Sequence, residues 1–342
     1  RLSLSSSAYQ ARLAARPDLP ENHHPVIDFI RIKNNTRLSD QVIEKQLNVK
    51  PGEPLDPEKL NRNLNIIYGM GDFQQVTYSL VEEDGKTGLV VEATQQHIGT
   101  NTFNFGLFLG ANMKGDSLFN LSVAYTMSQL NSLGGQWRTF VQIGGNVKLE
   151  TDFYQPLDAA QEYFINPYFS YQQYNLDLFS DSNEDNASFR IYRANIGMEV
   201  GRNLEHWGRL SLGLRYGPGK NDLRFGQIST NANTNTINEG SFDDGGYSIR
   251  WAADTLDNLN FPTSGYYGNL TFYDSLTALG ASNNFSTLSL NAAKPYTWGK
   301  QTLIPRVILS GRLSGDLGVQ DLFLLGGFLN LSGYQVGQIS GQ

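Results

Sequence analysis

From residue 101 onward, apolar and polar positions alternate with a period of two, segment after segment. Phe103, Phe105, Leu107 and Leu109 alternate with Asn104, Gly106, Phe108 and Gly110; Trp137, Thr139, Val141 and Ile143 alternate with Arg138, Phe140, Gln142 and Gly144. The same spacing returns around Leu121, Ile196, Leu212, Ile249 and Val307. Successive side chains of a strand point to opposite faces, so this period predicts strands. Eleven are predicted, over 102–112, 116–130, 136–145, 147–156, 162–177, 188–202, 208–220, 245–256, 265–277, 284–297 and 300–314. A β-sandwich alternates too. Here, however, the apolar face runs unbroken for four or five positions per strand, and the other face holds small residues, amides and several Arg. Strands of roughly 9–11 residues suit a tilted crossing of a bilayer. Leu121, Val123, Val141, Ile196, Leu212 and Ile249 are therefore expected to face lipid. Arg138, Arg193, Glu199, Arg215, Arg250 and Arg306 are expected to line a lumen.

The connections carry a second signal. Those near 131–135, 157–161, 203–207, 258–264 and 298–299 are short, whereas 178–187 and 221–244 are long, polar and Asn-rich. Short turns at one end and long loops at the other suit an outer-membrane barrel. Short connections near 113–115 and 146 make the asymmetry partial. The short-turn end also collects Trp137, Phe153, Tyr154, Tyr163, Phe164, Trp207, Tyr266, Tyr267, Tyr296 and Trp298, as an aromatic belt at the membrane–water level would. Eleven is an odd count, where bacterial single-chain barrels have even ones. With Ile339–Gln342 read as non-strand, the barrel is expected to be incomplete.

The pattern before residue 101 differs. Residues 1–24 lack a strand pattern and read as a linker, with one short helix expected near Tyr9–Ala15. Val26–Ile32 is β-rich. Ser39 can cap a helix with Val42, Ile43 and Leu47 on its apolar face. Asp56–Pro57 is a strong helix start, and Leu60, Leu64, Ile67 and Tyr68 follow at helical spacing until Gly69 and Gly71. Val76, Tyr78 and Leu80 alternate, Asp84–Gly85 makes a hairpin turn, and Leu89–Ala93 returns. The result is strand, helix, helix, strand, strand over 25–95, a small α+β domain.

Composition narrows the function classes. Of 342 residues, 39% are hydrophobic and only 17% charged, while Gly numbers 35, Tyr 17 and Phe 19. Net charge is −7, which opposes a nucleic-acid binder. The absence of Cys removes disulfides, thiolate nucleophiles and Cys zinc sites, and fits passage through an oxidising compartment. No apolar run reaches the ~18 residues of a membrane helix. Mean hydropathy of −0.36 fits a soluble protein and a membrane barrel alike, because half of each barrel strand faces water. A first residue of Arg1 implies a processed chain or a fragment.

The order over 25–95 resembles a POTRA domain, the periplasmic polypeptide-transport-associated module; any small α/β domain remains an equal alternative on that stretch alone. Two further stretches carry a more specific resemblance. In the first, Asp254 and Asp257 lead into Phe261, Pro262 and Gly265; in the second, Gly326, Gly327 and Phe328 lead into Leu331, Ser332, Gly333 and Tyr334. Together with the strands they resemble the BamA/FhaC-type outer-membrane superfamily. The resemblance implies a mainly β protein, a POTRA domain followed by a transmembrane antiparallel barrel of sixteen strands, eleven of them before residue 315. Residues 101–342 would be the barrel up to its sixth extracellular loop, with five strands beyond Gln342. The loop is expected to return into the lumen, with Leu331–Tyr334 near the wall. The family's loop-tip Arg is Ser332 here, so its ionic lock to the wall is in doubt. A single POTRA-like module behind a linker is similar to the patatin-like autotransporters of type V secretion subclass d. That likeness implies an N-terminal lipase passenger upstream, outer-membrane lipid and the passenger as partners, and periplasmic chaperones and a barrel-assembly insertase as helpers. It also implies a Gram-negative outer-membrane location with the POTRA domain in the periplasm.

These residues are expected not to form an enzyme. No G-x-S-x-G nucleophile elbow occurs; Gly245-Gly246-Tyr247-Ser248-Ile249 fails at the second Gly, because Arg250 follows Gly246-Tyr247-Ser248-Ile249. His23, His24, His97 and His206 form no metal-ligand pattern, no phosphate loop is present, and no cofactor or metal is expected. Asp254 and Asp257 have a Pro-Gly turn to explain them. Three functions compete: a translocator displaying a fused passenger, a general insertase or transporter of the same superfamily, and a passive porin. A POTRA module and a luminal loop both oppose the porin. A backbone edge at Val76, Thr77 and Tyr78 is expected to be open for strand addition.

Overall fold

A computed structural model describes residues 24–71, 73–95, 101–111, 117–179, 185–226, 239–327, 331–335 and 337–342. The expected helix near Tyr9–Ala15, the linker and Phe328 lie outside the described residues.

The N-terminal module runs β1 (Phe29–Asn34), α1 (Asp40–Leu47), α2 (Pro57–Gly69), β2 (Phe73–Glu83) and β3 (Lys86–Gln95). Its sheet has the order β1-β3-β2, with β1 parallel and β2 antiparallel to β3. Asp56 caps α2 by accepting the backbone N–H groups of Glu58 and Lys59, as its sequence position demands. Ser39 stands at the α1 cap but makes no side-chain cap bond. Asp84 and Gly85 both have φ > 0, which lets two residues close the β2–β3 hairpin. Ile27, Ile43, Leu47, Leu60, Ile67, Leu89 and Val91 form the core between helices and sheet, each at most 1% exposed.

Eleven strands then form one antiparallel sheet: β4 (Asn101–Ala111), β5 (Ser117–Met127), β6 (Gln136–Gly144), β7 (Val147–Pro156), β8 (Tyr163–Phe179), β9 (Asp185–Leu204), β10 (Gly208–Gly226), β11 (Gly240–Asp254), β12 (Tyr267–Ser275), β13 (Phe285–Ala293) and β16 (Arg306–Gly315). Each pairs with its neighbour in sequence, and β4 and β16 are the two edges. The sheet is open among the described residues.

Several boundaries differ from the sequence reading. The span 221–244 is not all loop: β10 continues to Gly226 and β11 begins at Gly240. The expected strands at 284–297 and 300–314 stop at Pro295 and start after Pro305, because neither Pro has an N–H to give the ladder. Between them, β14 (Tyr296–Trp298) and β15 (Gln301–Leu303) form a separate short hairpin. Ile339–Gln342, read as non-strand, contains β18 (Ile339–Gly341), which pairs with β17 (Phe323–Leu325). A three-residue ladder is too short to leave a periodic signal in sequence.

The module and the large sheet meet at the short-turn end. Ser39 N–H donates to the Ser132 carbonyl (2.9 Å), Arg37 N–H to the fully buried Gln129 side chain (3.2 Å), and the Gln46 amide to the Ala160 carbonyl (2.9 Å).

Candidate functional site: the polar wall and the segment across it

Parity splits the large sheet into two faces. One exposes Phe105 (77%), Leu107, Leu109, Leu121, Val141, Ile196, Leu212, Ile249 and Leu309. The other carries all six charged residues named from the sequence. Ion pairs on it reach across an intervening strand, as only a concave face allows. Arg250 on β11 meets Glu199 on β9 at 2.7 Å, over β10. Arg193 on β9 meets Asp244 on β11 at 3.0 Å, again over β10.

Glycines on β10 make these crossings possible. Gly213 lies between Glu199 and Ser248 in the register, and Gly219 opposite Arg193 and Phe242. A Cβ on Gly219 would fall 2.1 Å from the Phe242 ring. With no side chain on β10 there, groups from β9 and β11 close over its backbone.

Arg193 is the hub of this face. Its side chain is 14% exposed, Asp244 is 5% and Asp321 10%. Besides Asp244 it holds Asp321 at 2.8 Å and lies 5.2 Å over the Phe242 ring. Asn195 donates to Asp244 (3.0 Å). Arg215 stands 3.8 Å from Asp244 and 3.8 Å over the Tyr273 ring. Two cations thus balance two carboxylates, the condition under which charges tolerate burial. Elsewhere on the face, Arg138 is paired in register with Tyr125-adjacent Thr126 on one side and with Asp152 on the other. Arg306 donates to Asn291 (3.0 Å).

Asp321 belongs to the chain after β16, which turns at Gly315 (φ 70°) and folds back onto the concave face. Leu317 packs with Tyr273 and Phe285, and Val319 with Leu176, Phe189, Ile191 and Phe242. The Gln320 carbonyl accepts from the Tyr174 hydroxyl (3.3 Å), and its side-chain oxygen from Asn221 (2.8 Å). The segment 317–322 is therefore fixed by two apolar anchors, two hydrogen bonds and one ion pair.

Gly326 (φ 132°), Gly327 (φ 101°), Leu331, Ser332, Gly333 and Tyr334 follow this segment. They close on themselves: Leu331 N–H donates to the Gly327 carbonyl (2.9 Å), Tyr334 N–H to the Leu331 carbonyl (3.0 Å) and Gly327 N–H to the Tyr334 carbonyl (3.1 Å). Ser332, Gly333 and Tyr334 are exposed. Among the described residues, the side-chain anchors on the polar wall come from residues 317–323, about a dozen positions before Leu331–Tyr334, and β18 also approaches β8. Sequence reasoning missed Asp244, Gln320 and Asp321. Asp244 was findable: extending the alternation of Arg250, Ser248 and Gly246 back through residue 244 puts it on the arginine face. The other two sit in an irregular segment with no period to read.

At the opposite end, Asp254, Asp257, Phe261, Pro262 and Gly265 build the β11–β12 turn. Gly265 has φ 92°, and a Cβ there would strike the Thr255 carbonyl at 2.1 Å. Asp254 accepts the Leu256 N–H (3.1 Å), and Asp257 accepts the N–H groups of Thr263 (2.8 Å) and Ser264 (3.0 Å) and the Thr263 hydroxyl. The Thr263 hydroxyl first, then the Ser264 and Thr263 N–H groups, hold the Asp257 carboxyl well below the usual carboxylate range. Both carboxylates are spent on turn geometry. The aromatic belt is mixed: Trp137 and Phe153 pair on the apolar face, but Phe164 is 1% exposed and lies with Tyr154 under the Arg209 guanidinium. In the N-terminal module, Val76, Thr77 and Tyr78 lie on β2, an edge strand with Thr77 and Tyr78 exposed.

Residues 141–342 match the Omp85 superfamily domain, and residues 25–95 match POTRA, described as a surface antigen variable number repeat. The chain belongs to the Omp85 superfamily. Among solved structures, BamA from Haemophilus ducreyi lacking POTRA domains 1–3 is similar, with a TM-score of 0.65 and 15% identity over 92% of this chain and 60% of that one. CdiB from Acinetobacter baumannii is similar at TM-score 0.55 and 12% identity, covering 93% and 58%. CdiB from Escherichia coli gives 0.55 and 13%, covering 92% and 59%. No curated protein sequence matches this chain. The chain thus spans 58–60% of the length of these structures. As an Omp85 chain it combines a POTRA module with the outer-membrane barrel fold.

Proposed function

We propose that this chain is the translocator of a fused N-terminal passenger, a patatin-like lipase joined through residues 1–24 and displayed or secreted across a Gram-negative outer membrane. The observation that supports this reading is the segment 317–322 laid across a polar concave wall whose other face is apolar. A sheet apolar outside and charged inside suits a barrel that encloses a hydrophilic path, and such a path needs an occluding element when idle. The six charged wall residues line that path. The motif from Gly326 to Tyr334 belongs to the occluding loop. The POTRA module stands in the periplasm, where the backbone of β2 at Val76–Tyr78 offers its free edge to an extended passenger. Main-chain pairing accepts many sequences, as a translocator requires. Outer-membrane lipid surrounds the barrel, and periplasmic chaperones and a barrel-assembly insertase assist its biogenesis.

The test is surface display by the full-length protein in a Gram-negative host, read as lipase activity and protease accessibility on intact cells. The expected result is surface activity with the parent and with Thr77→Val. Thr77→Pro, folded but deficient in β2 pairing, is expected to lower display. Full display by a folded Thr77→Pro protein would reduce the POTRA module to a spacer. An upstream region without lipase activity would remove the passenger assignment.

A further inference from the structure

Leu259 and Phe261 are 86% and 82% exposed, more than any other large hydrophobic residue among those described. Both sit at the tip of the β11–β12 turn, beyond the last sheet pair, Asp254–Tyr267. A flexible loop would fold such side chains away from water. This one cannot, because its backbone is pinned. Asp257 gathers three donors from Thr263 and Ser264, and Asn258 accepts the N–H groups of Asn260 (2.9 Å) and Phe261 (3.0 Å). The turn is also tied sideways: the Thr297 hydroxyl donates to the Thr263 carbonyl (2.7 Å), joining it to the β14–β15 hairpin. That hairpin exposes Tyr296, Trp298, Leu303 and Ile304. Its chain continues directly into β16, where Val307 and Leu309 are exposed on the apolar face. Exposed apolar side chains therefore follow one another along the chain from this hairpin onto the outer face of the sheet, and the hairpin is tied to the turn that carries Leu259 and Phe261.

We propose that the two tied hairpins form a foot that seats Leu259, Phe261 and Trp298 in the phospholipid headgroup layer of the periplasmic leaflet. This inference rests on the membrane-spanning reading of the sheet and on nothing about its cargo. Continuity with the lipid-facing surface selects a lipid occupant. So does chemistry: Trp and Tyr rings suit the membrane–water interface, and Lys294 and Lys300 on the second hairpin suit anionic headgroups. Asp254 and Asp257 of the first hairpin accept hydrogen bonds from their own turn, which ties both carboxylates to its backbone. A rigid foot at one side of the rim would fix the barrel's depth and tilt.

These 342 residues hold no Cys, and with any Cys elsewhere in the full-length protein replaced by Ser single labels report cleanly. Nitroxide would be placed at Leu259→Cys and Phe261→Cys in the full-length protein, reconstituted in phosphatidylethanolamine–phosphatidylglycerol vesicles. Leu212→Cys on the apolar face and Asn61→Cys on α2 are the references. Collision with oxygen and with a water-soluble nickel chelate measures depth. The expected oxygen-to-nickel ratio at 259 and 261 falls between the two references. A ratio equal to that of Asn61 in vesicles overturns the foot. Labels shielded from both quenchers also overturn it, because protein then covers the tips. An aqueous Leu212 label would instead overturn the spanning reading itself. Quenching of Trp298 by brominated lipid, taken as the difference between the unlabelled parent and Trp298→Phe, checks the same depth without a label. An unquenched Trp298 counts against the foot.

Discussion

Gly219 is held against the Phe242 ring, and the Arg193–Asp244 pair closes over the same stretch of β10. A methyl group there must displace the ring or the strand. Gly219→Ala is expected to destabilise by about 1–3 kcal/mol, the usual cost of overpacking. Gly311→Ala, with nothing within 4 Å of the added Cβ, is the matched control and should stay within roughly 0.5 kcal/mol. Urea unfolding in micelles followed by heat-modifiable gel mobility reads both. Asp257 gives a pH prediction. Its folded carboxyl titrates below the unfolded value of roughly 3.9, so its contribution is fully present above that value. The contribution is lost as pH falls through the depressed folded value. The mobility of a label at Leu259→Cys should therefore be constant from pH 8 to 5 and rise only in stronger acid. Loosening between pH 7 and 5 would contradict the carboxylate's role.

Among the elements, the segment 317–322 is the one whose position depends on side chains rather than ladders. Its ion pair joins Arg193 on the wall to Asp321, the reverse polarity of a loop-tip Arg meeting a wall carboxylate. Removing one partner of a buried pair leaves the other uncompensated, at a cost of about 3–5 kcal/mol. Arg193→Gln should thus cost more than Asp321→Asn, because it strands two carboxylates. In a double-mutant cycle the pair should couple by more than roughly 0.5 kcal/mol. Planar-bilayer conductance of the full-length protein gives the functional reading: both variants should raise open probability, whereas Ser332→Ala should not. Equal conductance in Arg193→Gln and parent would show that the segment stays in place without its ion pair.

For the whole molecule, the described joint between POTRA module and barrel rests on three hydrogen bonds, two of them made by the Gln129 and Gln46 side chains. Gln129 is fully buried and accepts the Arg37 N–H. Gln129→Ala leaves that donor unpaired, a loss of about 1–3 kcal/mol confined to the joint. Hydrogen exchange should quicken at residues 37–39 and remain unchanged at Val91 in the POTRA core. Uniform quickening of the module would mean that the joint and the core are one cooperative unit.

The sequence by itself determined the order of the main elements, the eleven long strands and the two faces, but not the short β14–β15 and β17–β18 pairs. Each depends on local periodicity, and a period of two sustained over four or more positions has no other explanation. Asp56–Pro57, Asp84–Gly85 and the turn ending in Gly265 were legible for the same reason: their φ and capping demands are met within a few residues. Tertiary structure alone decided where Asp244 and Asp321 meet Arg193, that residues 317–322 pack on the wall, and that Phe164 turns inward under Arg209. Those positions are fixed by curvature, which brings β9 and β11 together over β10, and by contacts between residues more than a hundred apart. No local pattern encodes either.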